Sequence, residues 1–154
     1  GETGEIWLRA DSVMSGYWRD EAATAAAFAP GGWYKSGDVA RLDDAGYLSI
    51  VDRLKDMIVT GGENVYSKEV EDALGSHPEV ADCAVFGRPH PDWGETVVAC
   101  VVPKPGCAPA PEALAAHLST LLARYKIPRQ FTLMQALPRT PTGKLQKFLL
   151  REKA

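Results

Sequence analysis

Apolar and polar residues along this chain follow three spacings in turn. Glu5-Ile6-Trp7-Leu8-Arg9 alternates as a strand does, with no pairing segment before it. Ser15-Gly16-Tyr17-Trp18 reads as a turn. Asp20 to Phe28 is alanine-rich, a helix with Asp20 and Glu21 at the positive end of its dipole and Pro30-Gly31-Gly32 as its stop. Trp33 to Ala40 and Tyr47 to Val51 flank Asp43-Asp44-Ala45-Gly46, which predicts a hairpin with a glycine turn. Met57-Ile58-Val59 is a short strand. Ser67 stands where it caps a helix through Glu69, Val70, Ala73 and Leu74, closed by Gly75 and Pro78, with Val70 and Leu74 toward the core. Val80 to Phe86 is a strand, Gly87 to Gly94 a loop, and Glu95 to Val102 a nearly continuous apolar strand, a run that implies burial on both faces. Pro111 opens a helix to about Arg124 with Leu114, Leu118, Leu121 and Leu122 as its stripe. Phe131 to Met134 is a third strand, and a last helix runs from Leu145 to about Glu152. Helices flanking a short mixed sheet and a hairpin make an α+β domain with a modest core.

The pattern changes character at Val51 to Asn64, where a run of charges, a short strand and the pair Gly61-Gly62 stand side by side. That stretch reads as a boundary between two parts. The opening at Gly1-Glu2-Thr3-Gly4-Glu5, without methionine, reads as a fragment of something larger. Composition adds exclusions: 154 residues, 45% hydrophobic and 24% charged, are globular, and a net charge of -3 gives no basic footprint for nucleic acid. No apolar run reaches the ~20 residues of a transmembrane segment. Cys83, Cys100 and Cys107 lack a C-x-x-C pair and read as reduced thiols, two of them in apolar strands, which suits a cytoplasmic protein. His77 and His90 precede prolines and His117 lies on a helix, so neither a metal spacing nor a catalytic dyad emerges.

Taken singly, the candidate residues each have two readings. Asp38 after Ser36-Gly37 either caps a loop or offers a carboxylate to the two hydroxyls of a ribose. Arg53 is either a surface partner of Asp52 or Asp56, or a planar fork for ribose, phosphate or carboxylate. Gly61-Gly62 is a turn or a place of close approach, and it lacks the spacing of a Walker loop. Trp93 and Tyr125 are core anchors or stacking platforms. Lys144, after Pro138-Arg139-Thr140-Pro141-Thr142-Gly143, is a solvated lysine or a preorganised cation on a fixed loop.

The ordered set Gly16-Tyr17, Tyr34-Lys35-Ser36-Gly37-Asp38, Gly46-Tyr47-Leu48, Asp52-Arg53, Gly61-Gly62-Glu63-Asn64 and Thr142-Gly143-Lys144 covers nearly the whole chain. It resembles the acyl-adenylate-forming enzymes: acyl-CoA synthetases, aryl-CoA ligases, luciferases and peptide-synthetase adenylation domains. The resemblance implies a β-rich tail of the large N-terminal domain at residues 1–54, then a small mobile C-terminal domain at 55–154, with Lys55 at the hinge. By the same resemblance Asp38 and Arg53 hold the nucleotide, Lys144 is the catalytic lysine, and Gly61 and Gly62 line the passage for coenzyme A. Trp93 and Tyr125 match aromatics that lie beside the CoA nucleotide in some relatives.

The implied reaction joins a small-molecule carboxylic acid to ATP, giving acyl-AMP and pyrophosphate with Mg²⁺ on the leaving group; CoA then displaces AMP. Fatty acyl is the preferred acid class. The family's phosphate loop and acyl pocket are absent from this sequence, so its expected partner is its own N-terminal domain and the chain alone is expected to be inactive. Val59 to Ser67 resembles the CoA ligases more than peptide-synthetase domains, which usually carry a Gly-x-Arg-Ile-Glu version. Loading of a carrier protein is the alternative acceptor chemistry, and a noncatalytic interaction module is the alternative of another class.

Overall fold

A computed structural model describes residues 1–153, and the chain divides into two compact units, Gly1–Lys55 and one that begins at Asp56. The first contains β1 (Thr3–Leu8), α1 (Glu21–Ala27), β2 (Phe28–Ala29), β3 (Trp33–Leu42) and β4 (Leu48–Arg53). The ten-residue β3 is its axis, pairing antiparallel with β1, β2 and β4. Strand β1 therefore finds its partner downstream, against Tyr34 to Arg41. Asp20 caps α1 by accepting from the Ala23 amide at 2.8 Å. In the β3–β4 connection one carboxylate oxygen of Asp43 accepts from the Ala45 and Tyr47 amides at 2.9 and 2.8 Å, and Gly46 supplies the positive φ of 84° that closes the turn. A bulge on β4 sets Val39 opposite Asp52 but Ala40 opposite Ile50, and so fixes which residues of the β4 end face β3.

The second unit contains β5 (Ile58–Thr60), β6 (Glu63–Val65), α2 (Ser67–Gly75), β7 (Val80–His90), β8 (Gly94–Pro103), α3 (Pro111–Ser119), β9 (Gln130–Leu133) and α4 (Lys147–Lys153). Its sheet runs β6-β5-β8-β7, with β9 parallel to β8, so it is mixed and the fold is α+β. Alternation along β8 divides the core in two. Val97, Ala99 and Val101 join Val70, Leu74, Leu114 and Leu118 of α2 and α3, while Val98 and Cys100 join Ala84, Phe86 and Leu150 of α4. Helices thus cover both faces, as the continuous apolar run of β8 predicts. No helix among the described residues is long and apolar enough to cross a membrane. The three cysteines are free; burial, then the nearby Glu71 and Asp82 carboxylates, push the Cys83 thiol up to about 12.

Several boundaries differ from those the sequence predicts. The loop assigned to Gly87 through Gly94 is mostly ladder, since β7 and β8 pair as far as His90 against Gly94. Pro89 is tolerated because β7 is an edge strand, where a missing N–H breaks no ladder. Ser67 does not cap α2: Tyr66 holds that position without a side-chain cap, and the buried Ser67 hydroxyl accepts from Lys147 Nζ at 2.7 Å. Helix α3 stops at Ser119, because the Ser119 and Thr120 hydroxyls bond back to the carbonyls of Ala116 and His117. Leu121 consequently leaves the stripe and is 54% exposed. The last helix begins at Lys147 instead of Leu145.

Candidate functional site

In the first unit the bulged register places Asp38 of β3 opposite Arg53 of β4, and Arg53 Nε donates to Asp38 Oδ1 at 3.1 Å. Both side chains stay open to solvent, at 49% for Arg53 and 31% for Asp38. The Asp52 carboxylate accepts from the Arg53 amide at 2.8 Å. The guanidinium thus takes Asp38 as its ion-pair partner, while Asp56 pairs with Arg151. The irregular stretch of β3 before Asp38 is held from two sides. Ser36 Oγ accepts from the Asp38 amide at 3.1 Å, and Glu5 Oε1 accepts from the Gly37 amide at 3.0 Å while its other oxygen takes Trp7 Nε1 at 2.8 Å. Gly37, at φ 73°, permits that geometry. The Tyr34 phenol is raised above its ordinary range, first by a hydrogen bond with Tyr17 and its charge, then by burial and the Asp38 carboxylate. Ser36, Gly37, Arg53, Leu54 and Lys55 line an open depression of ≈ 360 Å³. Lys55 lies in the 3-10 turn Leu54–Asp56 and is the last residue of the unit.

In the second unit Gly61 and Gly62 are the two central residues of the β5–β6 hairpin, between paired Thr60 and Glu63. Their φ values of 58° and 85° are those a two-residue primed turn demands, and a Cβ at either would meet nothing within 4 Å. The glycine pair answers to backbone conformation, not to crowding within the chain. The Gly61 amide donates to Trp93 O at 3.0 Å. Thr60, Gly61, Glu63, Trp93, Tyr125, Arg124 and Arg129 meet around a depression of ≈ 240 Å³. Its walls come from the β5–β6 turn, the β7–β8 connection and the 3-10 turn Arg124–Lys126, which the crossover to β9 delivers. The Arg129 guanidinium lies 3.1 Å from the centre of the Trp93 ring, and the His90 ring stacks on the same indole at 5.2 Å. Lys126 Nζ, at 2.7 Å from both carboxylate oxygens of Glu69, ties the Tyr125 segment to α2. Two arginines against one glutamate suit an anion, and a half-open indole and phenol suit a flat ring.

Lys144 sits elsewhere in the same unit, on a loop that closes on itself. The Thr140 amide donates to Lys144 O and the Gly143 amide to Thr140 O, each at 2.8 Å; Thr140 Oγ1 accepts from the Lys144 amide at 3.1 Å. Gly143 takes φ 85°. Two ion pairs brace this loop. Arg139 donates through one nitrogen to Gly143 O at 2.9 Å and through the other to Asp82 Oδ2 at 2.7 Å. Three residues beyond Lys144, Lys147 reaches Glu71 Oε1 at 2.8 Å and Ser67 Oγ at 2.7 Å, with side chains only 13% and 16% exposed in the Lys147–Glu71 pair. Glu71 Oε1 also accepts from the Val85 amide at 2.9 Å, which joins α4, α2 and β7 at one point. Lys144 itself is exposed and enters no ion pair among the described residues. Lys147, engaged and nearly buried, cannot stand in for it.

Glu5, Glu71 and Asp82 support the candidate residues, and no motif in the sequence points to them. Glu71 leaves one trace: with Ser67 it puts two polar residues on the α2 face that carries Val70 and Leu74, a mismatch that signals a buried partner. His77 and His117 do meet, edge to face at 5.1 Å. The Ser76 hydroxyl donates to Ala73 O at 2.7 Å and His117 Nε2 lies 2.8 Å from that same oxygen of Ser76, so the imidazole is the donor and the group closes the α2 terminus.

The second unit is thus a mixed sheet clad on both faces that carries an exposed lysine on a braced glycine loop. Residues 69–144 match the AMP-binding enzyme C-terminal domain family, and this part of the chain belongs to it. The chain is 47% identical over 153 residues to feruloyl-CoA synthase of Amycolatopsis sp, covering 99% of this chain and 31% of that enzyme. A long-chain-fatty-acid–CoA ligase of Mycobacterium tuberculosis is 43% identical over 149 residues, 97% of this chain and 29% of that one. The ATP-bound structure of MatB from Rhodopseudomonas palustris superposes with a TM-score of 0.93 at 38% identity, over 99% of this chain and 30% of that chain. The chain thus spans less than a third of the length of these relatives.

Proposed function

We propose that residues 1–54 end the large domain of an ATP-dependent acid–CoA ligase and that 55–154 form its mobile small domain, turning about Lys55. The observation that supports this reading best is the arrangement of the second unit, where an exposed Lys144 stands on a doubly braced loop. In the first half-reaction the acid's carboxylate oxygen bonds to the α-phosphorus of ATP and the bond to pyrophosphate breaks. The Lys144 ammonium stabilises the negative charge that gathers there, a contribution of order 3 kcal/mol for a preorganised cation. Asp38, oriented by Arg53, accepts from the ribose hydroxyls. In the second half-reaction the CoA thiol, as thiolate, attacks the acyl carbon and AMP leaves. The pantetheine arm passes Gly61-Gly62, and the nucleotide end rests on Trp93 and Tyr125 beside Arg124 and Arg129. Exchange of Lys144 for the glycine turn reconciles a pocket that first excludes water and then admits a thiol.

Among the described residues no group of three or more His, Cys, Asp or Glu is placed to hold a metal, and the Mg²⁺ of the proposed reaction would be carried on the phosphates of ATP. A cytoplasmic setting, where ATP and CoA are supplied, suits the chemistry, and fatty acids are the first acid class to try.

The test uses the full-length enzyme with fatty, aromatic and short-chain acids, ATP, and either CoA or a holo carrier protein. Acyl-CoA and AMP are the expected products, and the 154-residue chain alone is expected to show no ATP–pyrophosphate exchange. Product only with the carrier protein would reassign the acceptor. No adenylation with any acid would overturn the reading.

A further inference from the structure

Gly87 lies inside β7, paired with Val97, where a glycine costs strand stability and no positive φ asks for one. Its reason is space. A Cβ there would stand 2.7 Å from Glu95 Cδ and nearer still to Glu95 Oε1, closer than real atoms approach. The carboxylate that fills this space is held in place, because Glu95 Oε2 accepts from the Val59 amide at 2.8 Å. Val59 belongs to β5, the strand that leads into Gly61-Gly62. Strand β5 meets β8 through one paired position, Thr60 against Gly94, and through the Gly61 amide on Trp93 O. Beyond that single pair the Val59 amide takes a side chain in place of a ladder carbonyl.

We infer that Glu95, lodged in the space left by Gly87, is a positioning residue that sets the β5–β6 turn against the β7–β8 hairpin for the thiol-transfer step. The inference rests on the proposed function for its second half-reaction. A carboxylate acceptor is the stronger partner for an amide, and its reach across the sheet replaces pairing that the short β5 cannot supply. Loss of the contact leaves the two hairpins folded while the turn drifts relative to Trp93. A turn misplaced by a fraction of an ångström slows a step that depends on alignment.

The experiment uses the full-length enzyme and separates the half-reactions: ATP–pyrophosphate exchange for adenylation, and acyl-CoA formation from supplied acyl-AMP for transfer. Glu95→Ala is expected to slow transfer about tenfold, the size of one lost charge-assisted hydrogen bond, with adenylation changed less than about twofold. Gly87→Ala, which evicts the carboxylate, is expected to match it, and the double variant to be no slower than either single one. Glu95→Gln keeps an acceptor oxygen and is expected to recover most of the rate. Amide hydrogen exchange supplies a readout independent of activity: Val59 is expected to lose protection in Glu95→Ala and Gly87→Ala, while Val85 and Val98 keep theirs. Equal losses in both half-reactions, additive single effects, or a Gln variant as slow as Ala would overturn the inference. So would an unchanged Val59 exchange rate. Wild-type enzyme unable to use acyl-AMP and CoA would sink the functional reading instead, and the Val59 exchange would still decide whether Glu95 holds the hairpin.

Discussion

The Lys144 loop and the Gly61-Gly62 turn belong to one small unit, yet they are built on opposite principles. The loop presents a side chain, and side chains hold it: Arg139 on Asp82, Lys147 on Glu71. The turn presents backbone and takes its shape from backbone, through the β5–β6 pairs and two glycines at positive φ, while Glu95 Oε2 on the Val59 amide ties it to the neighbouring hairpin. A charge that must sit at one point in space needs braces of high directional strength, and ion pairs with hydrogen bonds supply them. On the proposed function, a turn past which a slender chain slides needs the absence of side chains and a conformation that only glycine adopts without strain. The first region should therefore fail by chemistry, the second by conformation.

Lys144→Ala should separate the two most sharply. In the full-length enzyme, loss of a preorganised cation is expected to lower ATP–pyrophosphate exchange by about 10²–10³, while acyl-CoA formation from supplied acyl-AMP changes little. Equal loss in both steps would merge the regions that the comparison keeps apart.

Lys147→Met tests the deeper brace. It strands the Glu71 carboxylate in a nearly buried site, and the expected cost is about 3 kcal/mol of stability, read as a lower urea midpoint of the 154-residue chain by circular dichroism. Adding Glu71→Gln removes the stranded charge while leaving an oxygen for the Val85 amide, so the double variant should recover most of the loss. A double variant as unstable as the single one would mean that packing, not charge, is what Lys147 provides.

Asp38, Arg53 and Lys144 are legible as candidates because their chemistry lies in short motifs whose glycines, prolines and charges stand out locally. The buried faces of β8 are legible because water on either side of so long an apolar run would be costly, and only cover on both sides removes that cost. What surrounds the candidates is not. The Lys147–Ser67 contact joins residues 80 positions apart, and no local pattern names such a partner. Gly87, Pro89 and His90 have loop composition but occupy an edge strand, where the penalties that make a proline a breaker do not apply. The meeting of Trp93 with Tyr125 depends on a parallel crossover into β9, a non-local choice that periodicity leaves open. Helix α3 ends early because two hydroxyls compete for its last carbonyls, a signal that Ser119-Thr120 carries but that the leucine stripe outweighs in a reading by hydrophobicity.

Gly62→Ala sharpens the other side of the comparison. Space is free around position 62, so the cost is that of an L-residue in the left-handed region, about 1–2 kcal/mol. Acyl transfer should fall with adenylation spared, and the order Gly, Asn, Ala, Val should rank the rates, since asparagine tolerates this region best among the three replacements. A series ordered by side-chain size with Asn slower than Ala would point to crowding in place of backbone strain.

Arg139 offers the finest cut, because its ion pair and its carbonyl contact have different values. The pair with Asp82 is more than a third exposed on both sides, so solvent screens it and Arg139→Ala should cost less than about 1 kcal/mol of stability. The same guanidinium also fixes Gly143 O, one residue from Lys144. Releasing that carbonyl loosens the base from which the ammonium projects, and adenylation should fall about fivefold, equivalent to about 1 kcal/mol in the barrier. Arg139→Lys separates the two contributions. A lysine ammonium reaches Asp82 as a point charge but lacks the planar fork that holds carboxylate and carbonyl together. The lysine variant should keep its urea midpoint and still adenylate about as slowly as the alanine variant. Wild-type rates in Arg139→Lys would assign the brace to charge alone.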